Sequence, residues 1–215
     1  MRRFVIQRPV QVCGYLLLSL WLSGCAFFSP ARSQSVSVTL GAESRVYLSD
    51  QVFWTLPSPD VIKGHFMVIQ QVKGRYGDQS FDLLFQIEKK PGQLSLLGMT
   101  VSGQQLLQLV YRDGEVSGHV SPLVGDRIKL SYLVSDLLLA YGSGDVFNTA
   151  LADQDIIARE IPSKSRVIGY NKRPLISIKY SGQWMGADQW PEIVHYRNLG
   201  LGYELEIKTL SKEFL

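Results

Sequence analysis

Over much of the chain the apolar residues recur at every second position, and that period fixes the class of fold. In "SFDLLFQIEKK", Phe81, Leu83, Phe85 and Ile87 point one way while Asp82, Gln86 and Glu88 point the other, which is the pattern of a strand with one buried face. The pattern returns in "GHFMVIQQVKG" (64–74), "GQLSLLGMTVSG" (92–103), "QQLLQLVYRDG" (104–114), "PLISIKYSG" (174–182) and "GYELEIKTL" (202–210). Between such segments stand "KGRYGDQ", "KKPGQ", "SGQQ", "YRDGE" and "YNKRP", whose Gly, Pro, Asn and Asp suit tight turns. Successive strands joined by short turns imply an antiparallel meander.

One interval has a different period. In "DRIKLSYLVSDLLLAY" (126–141), Ile128, Tyr132, Leu133, Leu137 and Ala140 fall near helical spacing. The glycines of "GSGDV" end that helix, and Asp145 is the expected cap of a second, Val146 to Ala152. Helices set between runs of strands must pack on the sheet. The expected fold is therefore mainly β with α: a single curved antiparallel sheet, an open half-barrel, wrapped over a short helical lid. Neither an internal repeat nor a second domain is visible. Segments such as "FMVI", "LLGM" and "LLQLVY" are apolar on both faces. Two readings follow, a fully packed core or a concave hydrophobic pocket for a lipid or acyl chain.

The N-terminus carries a different signal. Arg2, Arg3 and Arg8 precede a mostly apolar run from Val10 to Leu22 and the small pair Ser23-Gly24, the order of an export signal. The run is shorter than the ~20 residues a spanning helix needs. Leu22-Ser23-Gly24-Cys25 resembles the bacterial lipobox, in which the chain is cut before a cysteine that then carries acyl chains. The alternatives are a signal anchor with an incidental cysteine, or a cut nearer Ala31. The lipobox reading divides the chain into a signal peptide (1–24), a lipidated N-terminus and tether (25–34) and a folded domain (35–215). Several acyl chains on Cys25 would hold it firmly, since one alone binds a bilayer marginally. Ala26 after the cysteine resembles the outer-membrane pattern of enterobacterial lipoproteins.

Charge and cysteine usage exclude several classes. The chain has 22 basic and 19 acidic residues, and loss of the three signal arginines balances them. No basic excess is left to suggest a nucleic-acid partner. Cys13 would leave with the signal and Cys25 would be acylated, so the mature chain could build neither a disulfide nor a cysteine metal site.

Signs of catalysis are few. There is no G-x-S-x-G elbow and no phosphate-binding G-x-x-x-x-G-K-[ST]. His65, His119 and His195 lie far apart, without the spacing of a local metal motif. Asp136 and Asp145 flank the leucine-rich helix and could serve as acid and base. The simpler expectation puts the first on the polar side of its helix and the second at a cap. Neither an enzyme nor a cofactor is expected. Trp54, Trp184 and Trp190 suit an acyl pocket, a headgroup layer or ordinary core packing. Lys164, Arg166, Lys172 and Arg173 read as loop charges, solvated or facing phosphate.

Taken together, the lipobox, the meander, "YLVSDLLLAYGS", "LISIKYSGQW" and the terminal "IVHYRNLGLGYELEIKTL" resemble a LolB-like family of outer-membrane lipoproteins of unknown function, often found beside genes for aryl-polyene and related lipid synthesis. The terminal pattern rests on Asn198, Gly202, Tyr203, Leu205 and Ile207. The resemblance implies a LolA/LolB-like half-barrel with helices over a hydrophobic cavity, to which Leu133, Leu137, Trp54 and Trp184 would contribute as cavity or lid. It further implies an outer-membrane location facing the periplasm, a role as lipid or lipoprotein acceptor, and a periplasmic LolA-like carrier as partner. LolB itself uses an exposed apolar loop. "WTLPSPDVI" (54–62) and "KKPGQLSLLG" are the candidates here.

Overall fold

The computed structural model describes residues 45–124, 128–185 and 190–215, the side chains of Trp184 and Met185 excepted. The expected signal peptide, Cys25 and the expected tether lie outside the described residues. A short hairpin, β1 (Arg45–Tyr47) and β2 (Phe53–Thr55), is followed by a 3-10 turn at Pro59–Val61. Then comes a meander of β3 (Phe66–Tyr76), β4 (Gln79–Lys90), β5 (Gln93–Thr100), β6 (Gln105–Arg112) and β7 (Glu115–Val120). Two helices, α1 (Leu130–Tyr141) and α2 (Gly144–Ala152), lead into a second meander. Its strands are β8 (Ile156–Ile161), β9 (Ser165–Tyr170), β10 (Arg173–Met185), β11 (Trp190–Asn198) and β12 (Tyr203–Phe214).

Ten strands form one antiparallel sheet in the order β7-β6-β5-β4-β3-β12-β11-β10-β9-β8. The two meanders are joined at its centre by β3 and β12, in register from Tyr76↔Tyr203 to Phe66↔Phe214 with a shift between Thr209 and Ser211. Laid flat, nine inter-strand gaps of about 4.8 Å would separate the outer strands by about 43 Å. Yet α1 lies against β7 and α2 against β8, and helices of 12 and 9 residues are only about 18 and 14 Å long. The sheet must therefore roll around the helix pair. Its two edges, β7 and β8, are not paired with each other, so the result is the open, curved half-barrel expected from the sequence.

Local chemistry explains the turns. Asp113 and Gly114 both have positive φ, 53° and 80°, the signature of a type I′ hairpin turn for which Asp-Gly is preferred. The turn between β9 and β10 takes the same form at Asn171 and Lys172, with φ of 48° and 67°.

Helix α1 is buried on most of its circumference: Val134, Ser135, Leu137, Leu138, Leu139 and Ala140 are all inside. One side faces the sheet. On the other lies the β1–β2 hairpin, from which Trp54 donates its indole N–H to Ser135 Oγ at 2.9 Å. Sheet, helix and hairpin thus make three layers, and that is why the helix sequence is apolar nearly all round.

Several expectations need correction. Helix α1 starts at Leu130, and α2 starts at Gly144 with Ser143, not Asp145, as its N-cap. Asp145 sits in the first turn, where a negative charge still complements the helix dipole. Neither proposed apolar loop is exposed. Leu56, Val61 and Ile62 of the first are buried, as are Leu94 and Leu96 of the second, which belong to β5.

Candidate functional site

The inner faces of the three central strands change character along their length. On β3 the inward residues pass from Val68, fully buried, through Val72 to Tyr76 at 62% exposure; on β4 they pass from Ile87 at 2% to Phe81 at 41%. On β12, Ile207 and Thr209 are buried, while Leu205 and Tyr203 are partly open. These residues are neighbours in register, Tyr76 with Tyr203 and Gly74 with both Phe81 and Leu205. The concave face is therefore closed at the Phe66 end and open at the Tyr76 end. At the open end the Phe81 ring lies directly over Gly74, in the space a Cβ would occupy.

Helix α1 brings Asp136 to this region. Tyr203 donates its hydroxyl to Asp136 Oδ1 at 2.7 Å, and the Tyr203 ring stacks near-parallel on Tyr196, centroids 6.1 Å apart. Burial pushes the Asp136 carboxyl up to about 7, and the two phenols beside it oppose that rise. Burial, reinforced by the nearby carboxylate, holds both tyrosines protonated. Tyr196 is 1% exposed, and its hydroxyl stands beside the Asp136 carboxyl and the Tyr203 hydroxyl.

The far end of α1 is tied down differently. Arg166 donates to Leu139 O at 2.6 Å and pairs with Glu160 at 2.5 Å, its guanidinium standing over the Phe147 ring. Tyr180 donates to Ala140 O at 2.7 Å. Gln70 donates to the Tyr141 hydroxyl at 2.8 Å, and the Tyr141 ring stacks on Trp190 at 4.1 Å. A buried cation at the helix C-terminus also complements the dipole. The C-terminal turn is held by a network of polar contacts, whereas the hydrogen bonds recorded for the side chains of the preceding turns are those of Ser135 and Asp136.

The outer face of the sheet is of another kind. A shallow groove of about 960 Å³ crosses it over Gly74 and Leu205, flanked by cross-strand charges. Glu204 accepts from Arg75 at 3.3 Å and from Arg197 at 2.8 Å. Those charges are paired across strands and exposed, an ordinary solvated sheet face.

The residues singled out in the sequence are dispersed. Trp54 and Leu137 are in the packed interior, and Leu133 is partly buried against it. The backbone of Trp184 lies in β10, and its side chain lies outside the described residues, as does Cys25. Asp136 corrects an expectation: it faces inward to Tyr203, not to the polar side of the helix. The signal was there, since Asp136 shares a helical face with Leu133 and Ala140 at i−3 and i+4. Nothing local could have supplied Tyr196 and Tyr203 as its partners. Among the described residues no group of His, Cys, Asp and Glu could hold a metal, and no helix is long and apolar enough to cross a membrane.

Residues 67–211, from the second residue of β3 to within β12, match a family described as protein of unknown function, DUF3261. The chain belongs to the DUF3261 family. The DUF3261 match takes in both helices and all of the meander pair but the first residue of β3 and the end of β12, and leaves the β1–β2 hairpin outside it. No curated protein matches the chain. Among solved structures it is similar to a domain from Vibrio parahaemolyticus described as an outer membrane lipoprotein-sorting protein, at 10% identity and a TM-score of 0.37 over 73% of this chain and 92% of that one. At that level neither activity nor ligand transfers to the DUF3261 chain.

Proposed function

We propose that this DUF3261 protein is a LolB-like envelope lipoprotein, anchored through Cys25 in the outer membrane, that takes acyl chains onto its concave face. It would act as a lipid or lipoprotein carrier or acceptor, without covalent chemistry, and with a periplasmic LolA-like carrier as a partner. The observation that supports this reading is the graded opening of the inner face: Tyr76, Phe81, Leu205 and Tyr203 lose burial together at one end, where Tyr203 meets Asp136 of α1. Inward apolar residues left half-exposed are costly unless something apolar covers them, at ~25 cal/mol per Å². An acyl chain gains that burial both here and in a bilayer, so transfer between the two is close to isoenergetic. Space for a chain would come from displacement of the N-terminal turns of α1, which carry fewer polar ties than the C-terminal turn.

The filled interior favours a second reading, an assembly lipoprotein that binds an envelope partner. Trp54, Leu137, Leu138 and Leu139 are all buried around the helix. Native mass spectrometry of the full-length protein purified from the envelope decides between them. A stoichiometric acyl-bearing molecule retained in the gas phase is the expected result for the carrier. A protein that arrives empty and takes up no fluorescent fatty acid supports the assembly reading instead.

A further inference from the structure

The β1–β2 hairpin is the outermost of the three layers, and its two faces differ sharply. Val46 and Trp54 are fully buried on the α1 side, while Arg45, Tyr47, Phe53 and Thr55 alternate with them and point outward. Tyr47 and Phe53 stand opposite each other in register, meet edge to face at 6.2 Å, and are 51% and 41% exposed. The Arg45 guanidinium lies over the Phe53 ring at 5.0 Å. Outward positions of a ribbon that faces water are usually polar, so two touching aromatic rings beside a cation mark a contact surface. The hairpin's own turn adds a neighbour of the same kind. Gly200 of the β11–β12 turn lies against Leu48 O and Ser49, and the adjoining Leu199 is exposed.

We infer that this outward face is where the domain rests on the bilayer, with Tyr47 and Phe53 in the headgroup layer and Arg45 among lipid phosphates. This rests on the reading of Cys25 as an acyl anchor and adds the side of the domain that meets the membrane. The side-chain chemistry fits, since amphipathic aromatic rings concentrate at membrane–water interfaces and a guanidinium matches phosphate oxygens. Chain order fits too. Residues 26–44, nineteen in all, separate Cys25 from Arg45 and join the described domain on this very face, so an anchor at Cys25 pulls on the domain here. Size favours a bilayer over a protein or a second copy. Two strands of three residues present a face of roughly 10 by 10 Å, whereas a stable protein interface takes about 800 Å² from each partner. A small face suffices once acyl chains hold the protein at the surface, because the second contact is then intramolecular.

The test is depth quenching in vesicles. Once the signal is removed and Cys25 acylated, the full-length mature protein has no other cysteine, so a single introduced thiol can be labelled with bimane. Thr55→Cys places the label on the outward face of the hairpin, and Lys208→Cys places it on the outer face of the sheet, on the opposite side of the three layers. Each protein is reconstituted into vesicles of phosphatidylethanolamine and phosphatidylglycerol, with and without a lipid bearing a doxyl quencher near its carbonyl. The expected result is emission at position 55 lowered roughly twofold by the doxyl lipid, as for a group within the ~5–10 Å boundary layer, and emission at position 208 unchanged. Replacing both Tyr47 and Phe53 by Ser should reduce quenching at position 55 to the level at 208, while the protein still floats with the vesicles. Equal quenching at the two positions in protein that floats overturns the inference and leaves the anchor standing, and pyrene excimer emission from position 55 would then give the face to a second copy. Quenching at position 55 that survives loss of both rings overturns it as well. Protein that does not float overturns the anchor reading, and the inference falls with it.

Discussion

Across 67 residues of sequence, the Tyr203 hydroxyl donates to Oδ1 of Asp136 at 2.7 Å, pinning α1 to the central strand β12 through a carboxyl raised to about 7 by burial. Between about pH 4 and 7 the folded chain therefore holds a proton that the unfolded chain has released. Stability contributed by this group falls as pH rises through that window and is level above it, at a slope of at most about 1.4 kcal/mol per pH unit. The groups facing Asp136 from the sheet, Tyr196 and Tyr203, stay protonated throughout. Urea denaturation at pH 5, 6, 7 and 8 checks this. Asp136→Asn should flatten the profile relative to wild type, and an unchanged difference across the series would show that the carboxyl does not titrate in this range.

Arg166 joins three elements: β9, which carries it, the α1 carbonyl at Leu139, and Glu160 on β8. Arg166→Met keeps most of the volume but strands the carbonyl and the acid. Its expected cost is roughly 3 kcal/mol, as for breaking other buried charge contacts. Arg166→Lys should recover less than half, because an ammonium on a narrower stem cannot reproduce the forked donor geometry. Chemical denaturation of both variants measures the two costs.

Gly74 and Phe81 share one space. A methyl at position 74 would collide with the Phe81 ring, so Gly74→Ala must drive the ring outward. A cost of about 1 kcal/mol is expected, limited by how readily a half-exposed ring can swing. In Phe81→Ala the same glycine substitution should cost almost nothing. A double-mutant cycle reports the coupling, and additive effects would mean that the ring does not rest on the glycine.

Lys172 occupies the left-handed region, φ 67°, in a turn position where glycine is free of strain. Lys172→Gly is expected to stabilise the chain by roughly 0.5–1 kcal/mol, seen as a raised denaturation midpoint with an unchanged slope.

The strands clearest in the sequence are those with one wet and one dry face. β4 and β12 alternate cleanly because their outer residues, such as Asp82, Glu204 and Glu206, meet solvent. β8 and β9 were not legible. In "IIAREI" both Ile156 and Ile157 are apolar although the second is exposed at an edge, and in "SRVIGY" the inward Arg166 breaks the pattern with a charge. The β1–β2 hairpin is three residues a side, too short to show a period, and it is recognisable only by what Trp54 touches. Asp136 was visible as a lone acid in a leucine run, but its meaning depends on tyrosines brought from two distant strands by the rolled sheet. Local pattern registers periods, and it registers no convergence of side chains from opposite ends of a chain.

The central pairing of β3 with β12 has a consequence for how such a chain is made. The last strand of this sheet to be synthesised or exported is the one that completes its middle. Until residues 203–214 arrive, β3 presents an apolar open edge, and the second meander has nothing to dock on. Half-built sheets of this kind are slow to finish and prone to pairing with the wrong chain. The topology thus ties integrity of the sheet to β12, so that a chain truncated before it is left without a centre.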